Sequence, residues 1–134
     1  MANTFIDKVA WICIADKRVL STRSKNRTVY YFPGGKREQQ ESDVRCLERE
    51  VKEELNVDII RSSIRFLDVF EAQADQSKAG VVVRMRCYFA DFEGSLRPSN
   101  EVECFEWLQH RDKYKTSAVD QVIMDHLKAM GSID

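Results

Sequence analysis

At 134 residues, 43% of them hydrophobic and 32% charged, the chain has the size and balance of one globular unit with its own apolar core, expected to span 1–134. A net charge of −1 excludes a global field that would draw nucleic acid or a membrane surface. The apolar run from Val9 to Ala15 is too short for a signal-peptide core or a membrane span, and Asp7, Lys8 and Asp16 flank it, so a cytoplasmic location is expected.

In chain order, Lys8 to Ala15 reads as a buried strand, and Asp16-Lys17 turns into a second short strand, Arg18 to Thr22. A polar loop from Ser24 to Thr28 leads to a third strand, Val29 to Phe32, stopped by Pro33-Gly34-Gly35. Ser42 or Asp43 can cap a helix running to about Leu55, with Val44, Leu47, Val51 and Leu55 on one stripe. Asn56 suits the left-handed conformation that ends many helices. Asp58 to Glu71 and Gly80 to Phe92 read as long strands joined by a polar loop, Ala72 to Ala79. In the second, Val83, Met85, Cys87 and Phe89 alternate with Val82, Arg84, Arg86 and Tyr88. A loop from Glu93 to Asn100 precedes a strand from Val102 to Leu108. The last helix, Ser117 to Met130, is expected to turn Val119, Val122, Ile123, Leu127 and Met130 inward. This order predicts an α/β or α+β fold.

Cys13, Cys46, Cys87 and Cys104 are widely spaced, with no C-x-x-C pair, and read as small, half-buried hydrophobes. Charge, by contrast, is sorted. Lys17 to Arg37 holds seven basic residues and no acidic one, whereas Glu38 to Glu54 holds seven acidic residues against three basic. Glu50, Glu53 and Glu54 stand at i, i+3 and i+4, which puts three carboxylates within one helical turn, beside and opposite the apolar stripe. Like charges so placed repel, and a divalent cation with a preference for hard oxygen ligands relieves them.

From Gly35 the sequence runs through five residues to Glu41, then seven more to Arg49-Glu50-Val51-Lys52-Glu53-Glu54-Leu55-Asn56-Val57. This resembles the Nudix box, G-x5-E-x7-R-E-U-x-E-E-x-G-U with U aliphatic, at every fixed position except Asn56, where the family usually has glycine. Phe32-Pro33-Gly34-Gly35-Lys36 and Glu106-Trp107-Leu108 are similar to the flanking segments of that family. The resemblance implies a mixed β-sheet sandwiched between helices and a pyrophosphohydrolase dependent on Mg²⁺ or Mn²⁺. It implies metal ligands at Glu50, Glu53 and Glu54, with the Gly35 carbonyl as a further ligand and Glu50 as general base. Glu50, Glu53 and Arg49 form the implied catalytic group, Arg49 pairing with Glu41 to hold the loop against the helix.

A further carboxylate is expected from the loop before the late strand, Glu101 first and Glu103 second. Arg23 and Lys36 are candidates to neutralise substrate phosphates, and Asp120 to read the edge of a base. Arg84 and Arg86, Trp107 and Tyr88, and the two histidines are as well explained by packing or solvation. The reading favours a MutT-like enzyme that hydrolyses nucleoside triphosphates, oxidised ones included, to monophosphate and pyrophosphate. Nucleotide sugars, ADP-ribose, dinucleoside polyphosphates and capped RNA remain alternatives, as does a non-catalytic ligand sensor. The expected partner is a nucleotide-like small molecule, without a stable nucleic-acid partner; a homodimer is compatible with folds of this kind.

Overall fold

The structure, a computed structural model, describes residues 4–74 and 80–134. A mixed four-stranded sheet carries the order β5-β1-β8-β7, built from β1 (Thr4–Ile12), β5 (Gly34–Lys36), β7 (Arg65–Gln73) and β8 (Val81–Phe89). β1 and β8 run parallel, and the other pairs are antiparallel. A second sheet joins β10 (Val102–Leu108), β3 (Arg18–Ser24) and β2 (Ile14–Ala15), with β4 (Tyr30–Tyr31) on the flank of β3. A small ladder pairs β6 (Asp58–Ile59) with β9 (Phe92–Glu93).

Helix α1 (Asp43–Leu55) and helix α2 (Ala118–Ala129) cover opposite faces. β1 shows why. Val9 and Trp11 pack with Leu47, Val51 and Leu55 of α1, while Ala10 and Ile12 pack with Val119, Ile123 and Leu127 of α2. A strand buried on both faces has no polar side to show, which explains its continuous apolar run in the sequence. The fold is therefore a mixed sheet between helices. Among the described residues, no helix is long and apolar enough to cross a membrane.

Several boundaries differ from the sequence expectation. β1 starts at Thr4 rather than Lys8, and Cys13 interrupts it before β2. The third strand does end before Pro33, as β4, but Gly34 and Gly35 then begin a further strand, β5, antiparallel to Val9 and Ala10. The expected strand from Asp58 to Glu71 is broken by a 3-10 turn at Arg61–Ser63, and the expected loop from Ala72 lies largely outside the described residues. Val122 and Met130 of α2 are exposed, not inward, because the buried stripe continues through Met124 and Ile133 instead. The cysteines are free, three of them buried. His126 packs edge-on to Phe70, with ring centroids 5.2 Å apart.

Candidate active site

The site lies where β5, the following loop and α1 meet. Gly34 has φ +139°, and a Cβ there would fall 2.1 Å from the Val9 carbonyl oxygen, so only glycine lets β5 lie against β1. Gly35 faces a different neighbour: an added Cβ would sit 2.6 Å from Cδ of Glu50. One glycine makes room for backbone, the next for a carboxylate.

Ser42 caps α1, its hydroxyl accepting from the Arg45 N–H at 3.2 Å, and Asn56 ends it in the left-handed conformation, φ 62°. Between these caps the three glutamates differ. Glu53 is half exposed, whereas the Glu50 side chain keeps only 17% of its surface. Glu54 is drawn in against β5 and accepts a hydrogen bond from the Gly34 N–H at 3.0 Å, so it does not stand clear of packed surface as expected. Burial pushes its carboxyl up to about 8, and burial also raises Glu50, against the pull of Arg49.

Arg49 joins loop to helix. Its Nε and Nη2 donate to the two oxygens of Glu41 at 2.7 and 2.8 Å, and its Nη1 donates to Glu50 Oε1 at 2.9 Å. Nη2 also reaches the Lys36 carbonyl at 3.3 Å. The Arg49 hydrogen bonds, with one from the Glu38 N–H, hold the Glu41 carboxyl down at about 2, and the same pairing raises Arg49.

Among the described residues, no three His, Cys, Asp or Glu side chains are gathered into a metal cage. Instead Arg49 holds Glu50 and the Gly34 N–H holds Glu54. The donor chemistry nonetheless fits a hard divalent ion. Glu50 and Glu54 lie against a glycine turn, the Glu50 carboxylate in the space that a Cβ of residue 35 would take, with Glu53 on the same helix one turn from Glu50.

The loop before β10 is tied to the end of α1. Arg97 N–H donates to the Leu55 carbonyl at 2.9 Å, Ser99 N–H to the Glu54 carbonyl at 3.0 Å, and the Asn100 side chain to the Glu53 carbonyl at 2.7 Å. That tether brings Glu101 to the rim of a cleft of about 740 Å³, which Glu54, Gly35, Lys8, Lys25 and Arg27 also line. Glu103 instead pairs with Arg23 at 2.6 Å. Of the two candidates, Glu101 is the one that faces the cleft.

Arg23 does not reach it: besides Glu103, its guanidinium donates to the Arg27 carbonyl at 3.0 Å, and the alternation of β3 sends Thr22 and Ser24 to the cleft in its place. Lys36 lines an adjoining cavity of about 440 Å³. Asp120 is fully buried, accepts from the Phe32 N–H at 2.9 Å, and lies outside the linings of both cavities, so it braces α2 against the chain entering β5. Lys8 and Arg27, absent from the sequence candidates, line both cavities. Arg27 and Lys25 belong to the basic stretch, which was their only signal; Lys8 was hidden in an apolar strand.

Comparison with known proteins agrees with this geometry. The model of the NUDIX domain matches residues 6–126. The E. coli ORF135 protein is similar in structure, with a TM-score of 0.70 at 23% identity over 96% of this chain and 91% of its own. A MutT protein from Bacillus halodurans gives 0.70 at 23% identity, over 90% and 80%. The E. coli dihydroneopterin triphosphate pyrophosphohydrolase gives 0.68 at 16% identity, over 92% and 94%. Among curated proteins, no sequence matches. With a family model covering most of its length and the box residues assembled on one helix and one glycine turn, the chain belongs to the NUDIX domain family and is a pyrophosphohydrolase.

Proposed function

We propose that the protein hydrolyses a phosphoanhydride bond of a nucleoside triphosphate, or of a similar nucleoside diphosphate-linked compound, with Mg²⁺ or Mn²⁺ bound by Glu50, Glu53, Glu54, Glu101 and the Gly35 carbonyl. One observation carries this reading: the carboxylates of Glu54 and Glu101 and the cations of Lys8, Lys25 and Arg27 line one and the same cleft. A bound divalent cation supplies neutralisation of anhydride oxygens and acidifies a water molecule. Glu50 takes the proton of the attacking water, and Arg49 fixes the orientation of that carboxylate through Glu41. Lys8, Lys25 and Arg27 bind phosphate oxygens and stabilise charge on the leaving group. The dihydroneopterin triphosphate pyrophosphohydrolase among the structural relatives supports the choice of a triphosphate.

A panel of nucleotides incubated with Mg²⁺ and assayed for phosphate and pyrophosphate tests this. Release of pyrophosphate from at least one triphosphate is expected. Tight nucleotide binding without turnover on any member would instead identify a sensor.

A further inference from the structure

Adjoining the acidic cleft lies the second cavity, whose charged lining among the described residues is all basic. Lys8 and Lys36 stand directly opposite each other in the antiparallel β1–β5 ladder. Like charges so placed oppose the pairing that brings them together. Arg27 joins them on the same cavity, carried there by the turn that closes from the Arg27 N–H to the Ser24 carbonyl at 3.1 Å, with Asn26 at φ 62°. None of the three forms an ion pair with a described residue. Half of the chain's twelve arginines do: Arg23, Arg37, Arg49, Arg61, Arg84 and Arg86 each hold a carboxylate. Lys8 also offsets Glu54 across the first cleft and lies 5.3 Å from the centre of the Tyr31 ring.

The opposite wall is the start of α2, where Ser117 and Val119 line the cavity. A helix N-terminus adds partial positive charge to the same space. The buried Asp120 in that first turn faces the Phe32 N–H, not the cavity. Three cations that repel one another at the mouth of one cavity are relieved together by a dianion, and Arg and Lys both suit phosphate oxygens.

We propose that the cleft continues into a phosphate-binding pocket formed by Lys8, Arg27 and Lys36 against the start of α2, so that the substrate carries a further phosphate on the side away from the acidic helix. The assignment of that phosphate to a substrate rests on the hydrolase reading; the pocket itself does not. The substrate class, within the nucleoside diphosphate-linked compounds proposed above, is one with an additional phosphate monoester.

The first measurement needs neither metal nor turnover. Inorganic phosphate is titrated into the protein in EDTA, with chloride matching the ionic strength, and amide chemical shifts are followed. Saturable shifts at Lys36, Ser117 and Val119 are expected, with binding weakened at least five-fold in Arg27→Ala and in Lys36→Ala, whose spectra also report an intact fold. Shifts that do not saturate, that stay at Gly35 and Glu101, or that persist unchanged in both variants overturn the pocket. The second measurement compares, under Mn²⁺, ADP-ribose with ADP-ribose bearing a 2′-phosphate. A preference of at least ten-fold for the phosphorylated form, falling towards unity in Lys36→Ala, is expected, and a ratio of one in the parent protein overturns the substrate class. If neither compound is hydrolysed while phosphate still saturates the pocket, the substrate class is overturned and the pocket stands; the nucleotide panel decides the hydrolase reading separately.

Discussion

Two arginine–carboxylate networks grip α1, one at each side of its first two turns, and they are built to different ends. At the helix start, Asp43 bonds the guanidinium groups of Arg86 at 2.6 Å and Arg37 at 2.8 Å and the Tyr88 hydroxyl, while Arg37 also holds Asp7. Two cations meet two anions, so the network closes on itself. Around Arg49 one cation serves Glu41 and Glu50 and lies 3.7 Å from Glu53, with Glu54 nearby on the glycine turn. Here negative charge is left over and faces the cleft. A balanced network fastens helix to sheet; an unbalanced one leaves room for a cation that the protein does not itself provide.

That contrast is broken most directly at Glu50. Glu50→Gln keeps shape and removes charge, and should lower kcat by roughly 10²–10⁴-fold with an unchanged melting temperature; turnover near the parent value sinks the assignment. The glycine turn separates activity from stability. Gly34→Ala forces a strained φ and a clash with backbone, so a loss of at least ~3 kcal/mol is expected in denaturant titration. Gly35→Ala meets only the movable end of Glu50, so stability should hold while kcat falls roughly ten-fold as the carboxylate is displaced.

The balanced network should behave in the opposite way. Asp43→Ala leaves Tyr88 and two guanidinium groups short of a partner, costing about 1–3 kcal/mol of stability with kcat retained. Although burial opposes it, hydrogen bonds from Tyr88 and Arg86 hold the Asp43 carboxyl below its ordinary 3.8. Its contribution is thus complete above pH 3.8 and is lost as the pH falls through the lower native value. The variant should therefore show a shallower loss of stability on acidification, read from denaturant midpoints; an identical acid limb removes Asp43 from the account. The smallest effect separates two neighbours. Glu101→Ala should raise the metal concentration for half-maximal rate roughly ten-fold, and Glu103→Ala, which frees only Arg23, less than about two-fold.

Much of this was legible in the sequence because it is local. The spacing of Glu50, Glu53 and Glu54, the cap at Ser42 and the left-handed end at Asn56 lie within one helix, where sequence offset fixes position. What escaped depends on pairing across the fold. Lys8 joins the site through its register with Lys36 in another strand, and Arg23 leaves it because β10 places Glu103 beside it. Asp120 is expected from the sequence to read the edge of a base, yet the packing of α2 against the Phe32 backbone buries it. The Pro33-Gly34-Gly35 signal marks the end of β4, but the new strand that Gly34 begins depends on its close approach to Val9 and has no local signal.

Asn56 carries a lesson for engineering. Its backbone N–H closes α1 onto the Lys52 carbonyl, and its side-chain amide donates to the Arg97 carbonyl at 2.7 Å. A designer working by consensus would restore the glycine common in the family and expect a gain at a left-handed position. In this chain the change would cut a strap on the segment that delivers Glu101, so a substitution meant to stabilise would loosen the loop across from the acidic helix. Residue 56 and the 97–101 segment are one mechanical unit, to be exchanged together or left alone.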